Sequence, residues 1–150
     1  YNQILEADNL NVDAHAGLMK CLMVAGKTEQ ARDYLTELST ELLTNQKIIT
    51  VQTALELEAQ TAGAGEVSEV KEFLENNPDN HQARFDYALA LYGAGDTEIA
   101  IEELVEIIKN DRAWNDDTAR QQLFKIFEAL GPADPITITG RRKMSAVLFS

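Results

Sequence analysis

The chain has 150 residues, 45% of them apolar, three prolines and a formal charge of −12 from 13 basic and 25 acidic side chains. That is about one domain with a sizeable core, which excludes a disordered or collagen-like chain, and the acidic balance repels phosphate backbones and so argues against nucleic acid. No run approaches the roughly 18–20 apolar residues of a membrane span, and one cysteine with two histidines supports neither an intramolecular disulfide nor a zinc site, so no membrane, metal or cofactor is expected.

Taken in order, Tyr1 and Leu5 running into Asp8-Asn9 read as the last turns of a helix over 1–7. The chain opens there without a methionine or a signal-peptide pattern, so it reads as a fragment of something longer and is expected in the cytoplasm. Hydrophobic spacing then predicts helices over 11–25, 28–43, 46–62, 66–76, 80–93, 97–110 and 116–130, with a final segment from 137 to 149. Within the fourth of these eight helices, Glu58 falls where a small apolar residue is expected, so its register stays open. Trp114 precedes Asn115-Asp116-Asp117, a helix start with an Asn or Asp cap, and is expected to plug the space between the third and fourth helix pairs. Cys21, next to the inward Leu22, is expected to be buried or partly buried.

The chain repeats itself. Leu5-Glu6-Ala7-Asp8-Asn9-Leu10-Asn11-Val12-Asp13-Ala14 aligns with Leu74-Glu75-Asn76-Asn77-Pro78-Asp79-Asn80-His81-Gln82-Ala83 at an offset of 69. The same offset carries Leu22 onto Leu91, Ala25-Gly26 onto Ala94-Gly95, Ala31 onto Ala100 and Leu35 onto Leu104. Turn glycines fall at Gly26, Gly65, Gly95 and Gly131, and 69 is about twice the 34-residue period of tetratricopeptide repeats. The expected fold is therefore all-α, a single tetratricopeptide-like domain over 1–150 forming a right-handed solenoid of about four helix pairs, the first pair truncated. The small Ala88 and Ala100 let paired helices approach while Leu91 and Leu104 fill the groove beside them. The bare edge left by the truncation makes a homodimer conceivable.

Tyr1-x2-Ile4-Leu5-x2-Asp8 with Ala14-x2-Gly17-Leu18, and above all Asp111-Arg112-x-Trp114-Asn115-Asp116-x2-Ala119-Arg120-x2-Leu123 followed by Phe127-Glu128-Ala129-Leu130-Gly131-Pro132-x-Asp134-Pro135 and Gly140-Arg141-Arg142, resembles the C-terminal tetratricopeptide region of the YbbN/CnoX thioredoxin-like proteins. The resemblance covers essentially the whole chain. It implies a bacterial cytoplasmic holdase co-chaperone that keeps unfolded clients soluble and passes them to the chaperonin GroEL, with a thioredoxin-like domain ahead of residue 1. The chain itself has no Cys-x-x-Cys and no β-α-β stretch, so any redox activity of such a protein lies outside it.

Repeat arrays bind peptides on the face lined by the first helix of each pair. Counting back from the turn glycines places Asp13, Ala16, Lys20 and Met23 there in the first unit, Gln82, Phe85, Leu89 and Tyr92 in the best unit, and Thr118, Gln121, Lys125 and Glu128 in the last. Met23, Phe85, Leu89 and Tyr92 are apolar enough for a client-binding surface, although the same positions serve packing between repeats. Lys20 has no asparagine beside it, which argues against a carboxylate clamp. Charge is uneven: residues 1–108 carry 6 basic and 20 acidic groups, net −14, and residues 109–150 carry 7 and 5, net +2. The rows Glu66, Glu69, Glu72 and Glu98, Glu102, Glu106 read as solvated helix faces. In the tail, Arg141, Arg142 and Lys143 precede Met144, Val147 and Leu148, a helix that either caps the array or docks a larger partner. With no Ser/His/Asp grouping or phosphate loop, the sequence reads as a non-catalytic protein–protein interaction module. The alternative is a structural or dimerisation scaffold that positions the absent domain.

Overall fold

The computed structural model describes residues 11–149, and the expected helix over 1–7 lies outside them. Among the described residues the structure is all-helical: α1 Val12–Val24, α2 Thr28–Thr36, α3 Thr40–Leu43, α4 Gln46–Thr61, α5 Val67–Asn76, α6 His81–Gly93, α7 Thr97–Asn110, α8 Thr118–Leu130 and α9 Pro135–Leu148. The chain divides into two compact units, Tyr1–Glu56 and Leu57–Ser150.

In the first unit, the side chain of Asn11 caps α1 by accepting from the Ala14 amide at 2.9 Å. Gly26, at φ 76°, ends that helix, with Lys27 N–H donating to the Leu22 carbonyl at 2.8 Å. This is the closing bond of a Schellman turn, and a Cβ would strain the glycine's backbone. The chain then folds back so that α2 packs on α1, Ala31 entirely buried between them. Met19, Ile48, Val51 and Leu55 complete the core. One expectation fails: the helix over 28–43 is broken at 37–39. Leu35, Leu38 and Leu42 keep an apolar periodicity running through the break, but Ser39 adopts extended backbone and its Oγ accepts from the Leu42 amide at 3.4 Å, starting a new turn.

The second unit repeats the first at the same offset of 69. Asn80 caps α6 through the Ala83 amide at 3.0 Å, and Asp96 N–H donates to the Leu91 carbonyl at 2.9 Å past Gly95 at φ 92°. Ala100, like Ala31, is fully buried where the paired helices meet. Even the polar bridge between the two helices recurs: His15 Nδ1 meets the Tyr34 hydroxyl at 2.6 Å in one unit, and Arg84 donates to Glu103 at 2.5 Å in the other. All four turn glycines predicted from spacing take positive φ.

The second core joins Leu57 from the end of α4 with Ala88, Leu104, Leu123, Ile126 and Phe127. Helix α8 starts at Thr118, two residues later than expected, because Asn115, Asp116 and Asp117 are all left-handed, at φ 48°, 56° and 64°, and Asp117 makes no side-chain cap. Asp134 caps α9 by accepting from the Ile136 amide at 2.8 Å, with Pro135 in its first turn. Helix α9 packs on both α7 and α8, and Gly140 lies against Phe127 of α8 and Ile101 of α7. A Cβ there would lie 2.6 Å from the Phe127 ring and 3.3 Å from Ile101. Gly140→Ala is therefore expected to cost about 1–3 kcal/mol by overpacking, whereas Gly63→Ala, with open space around it, should stay within about 0.5 kcal/mol of wild type. Urea denaturation of both variants checks this, and equal midpoints would contradict the close crossing.

Candidate functional site

The first-helix face of the second unit is less open than its sequence positions imply. Phe85 is only 7% exposed, with Trp114 against it at 5.6 Å between ring centroids. Trp114 also meets His81 edge-on at 6.1 Å, so both of its ring contacts are with the first helix of the third pair. The amides of Gln60 and Gln122 exchange hydrogen bonds at 3.0 and 3.1 Å and tie the end of α4 to α8. Phe85 is thus a core side chain, covered by a loop and by neighbours from distant parts of the chain.

Leu89 and Tyr92 remain half-buried on the same helix. Burial, and secondarily the negative charge of Glu58, raises the Tyr92 hydroxyl above its ordinary value of 10.0. In the first unit Lys20 is exposed, and Met23 is half-buried against the core. Cys21 is exposed, contrary to expectation, because α1 buries Ala16 and Met19 and turns the neighbouring position outward. In the tail, Arg141 and Arg142 are exposed and Leu148 is half-buried, while Met144 is buried in the core. Arg141 lies over the Phe127 ring at 5.8 Å, and Lys143 pairs with Glu102 at 2.8 Å, so part of the tail's basic character is spent inside the fold.

Of the predicted residues, Leu89 opens onto a distinct feature, a cleft of about 490 Å³ between α5, α6 and the turn that follows α4. Val70 and Phe73 from α5, Ala83 and Leu89 from α6, and Ala64 supply its apolar surface, with Glu69 and Asp86 as its charged side chains. Sequence reasoning missed Val70 and Phe73. The adjacent pair Phe73-Leu74 points about 100° apart on its helix, but such a pair need not split, since Ile126 and Phe127 both enter the second core, so the sequence carried no clear signal. Leu74 is buried and Phe73 is left 55% exposed. The cleft can accept apolar side chains of a partner, with carboxylates beside them. Among the described residues no group of His, Cys, Asp or Glu is placed to hold a metal ion, and no helix is long and apolar enough to cross a membrane.

Tyr92 offers a check on this surface. Its folded-state value lies above the unfolded one, so the neutral phenol contributes stability that is whole below about pH 10 and is lost as pH rises through the folded-state titration. Followed by NMR of ring-labelled tyrosine, Tyr92 should titrate above 10.0, and Glu58→Gln should lower the midpoint without abolishing the shift, since burial is the larger cause. A midpoint at or below 10 would contradict the placement.

Residues 60–149 match the tetratricopeptide repeat family. The chain is also similar to an uncharacterized protein of Haemophilus influenzae, 27% identical over 143 residues, in an alignment that covers 95% of this chain. It spans 65% of that relative's length. Among solved structures it resembles a domain of a Vibrio parahaemolyticus protein of unknown function, at 26% identity and a TM-score of 0.51, over 93% of this chain and 82% of that one.

Proposed function

The chain belongs to the tetratricopeptide repeat family, a non-catalytic protein-interaction fold, and from that premise we propose that it binds unfolded protein clients as the helical part of a holdase co-chaperone. The observation that carries the client-binding part is the apolar lining of the second unit's cleft, Phe73 with Leu89, beside which α6 also carries Tyr92, the last two half-buried against the core. Phe73 stands beside other apolar residues at a cleft, so an unfolded segment that docks there buries several of them together. The YbbN/CnoX resemblance supports the finer reading: a cytoplasmic bacterial protein with a thioredoxin-like domain ahead of residue 1 that hands clients to GroEL, Arg141, Arg142 and Leu148 of α9 serving as the docking side.

Burial of Phe85 and Met144 favours a second reading, a structural or dimerisation scaffold, since both residues serve the fold. Leu89 and Tyr92 distinguish the two. Aggregation of a chemically unfolded test protein on dilution should be suppressed by the wild-type chain. Leu89→Ala/Tyr92→Ala, with unchanged helicity by circular dichroism, should weaken the apparent affinity about tenfold, the loss of a few half-buried apolar contacts. No suppression by wild type, together with a stable dimer in sedimentation, would overturn client binding in favour of the scaffold.

A further inference from the structure

We infer that the cleft between α5 and α6 selects extended protein segments in which an apolar side chain lies next to lysine or arginine. This rests on the reading of the chain as a protein-binding module and specifies the chemistry of its partner. The cleft is open to solvent, and its volume of about 490 Å³ leaves room for side chains of an extended segment. Val70, Phe73 and Leu89 provide the apolar contact, and the 55% exposure of Phe73 leaves its ring available to a partner.

The charge at the cleft has one sign. Glu69 and Asp86 line it, and no lysine or arginine does. Asp86 is held in place by Gln82, whose side-chain amide donates to its Oδ1 at 2.9 Å. The nearest cation along α6, Arg84, is engaged elsewhere, with Glu103 at 2.5 Å and with the Pro78 carbonyl at 3.3 Å. A cationic side chain docked beside Phe73 would therefore meet two carboxylates at the edge of an apolar surface, where screening is weaker than in open water. The chain's −12 net charge adds attraction at longer range and discourages acidic segments.

The test uses two short fluorescein-labelled peptides in a glycine-serine background, one with a leucine flanked by lysines and one with glutamates in their place, titrated onto the full chain. The lysine peptide should bind at least about tenfold tighter. Glu69→Lys/Asp86→Lys should remove or reverse that preference. Glu72→Lys/Glu75→Lys changes the net charge equally on residues outside the cleft and should leave the preference largely intact. Phe73→Ser, at an exposed position, should weaken the lysine peptide severalfold with the helical spectrum unchanged. Equal binding of the two peptides, or equal effects of the two charge reversals, would overturn the assignment. So would a chain that dimerises through Phe73 with neither peptide competing. If wild type prevents aggregation yet does not distinguish the peptides, the cleft's selectivity fails and the interaction-module reading stands. A wild type inert in both assays removes both.

Discussion

The close approach of two antiparallel helices at a single alanine is the constraint on which the rest of the structure depends. Ala31 and Ala100 are fully buried at equivalent places in their units, and any larger side chain there would push the helices apart. The glycine turns serve that approach: a left-handed residue at Gly26 or Gly95 reverses the chain tightly enough for the second helix to start beside the first. The polar bridge between the paired helices shows how little of this depends on one chemistry. His15 with Tyr34 and Arg84 with Glu103 occupy the same two positions, one pair hydrogen-bonded and the other ionic. Position is retained while chemistry changes, because the geometry of the helix pair brings those two side chains together.

That geometry also decides which surface is available. In the second unit Trp114, held in a loop with three consecutive left-handed residues, covers Phe85. The Gln60–Gln122 exchange further ties the end of α4 to α8. On the first-helix face, Phe85 thereby takes the packing role that its repeat position also allowed. Apolar surface remains one step away, on α5, where Leu74 is buried and Phe73 is left exposed. Phe73 and Leu89 line a cleft whose charged side chains, Glu69 and Asp86, are acidic.

Much of the fold could be read from the sequence because it is local and repeated. Hydrophobic spacing located the helices, and the glycine spacing located every positive-φ glycine among the described residues. Failures occurred where two local signals compete. Leu35, Leu38 and Leu42 continue a helical pattern through 37–39, while Ser39 interrupts it with a cap. Asn115-Asp116-Asp117 has cap chemistry, yet the three residues form a left-handed turn ahead of the helix. The site was less legible for a different reason. Burial of Phe85 depends on Trp114, 29 positions further on, and the Gln60–Gln122 tie spans 62 positions. Position within a repeat carries no information about such contacts. Leu89, read as either a client-binding or a packing position, is half-buried against the core and also lines the cleft.

The most direct test of the central claim, that partners engage the apolar cleft of the second unit, is an NMR titration of the isotopically labelled full chain with a permanently unfolded, soluble protein. The account predicts amide and methyl perturbations concentrated at Val70, Phe73, Ala83 and Leu89, with little change at equally exposed apolar residues such as Ile99 and Ile138 on α7 and α9. Perturbations centred on Ile99 and Ile138, or none at saturating partner, would contradict it.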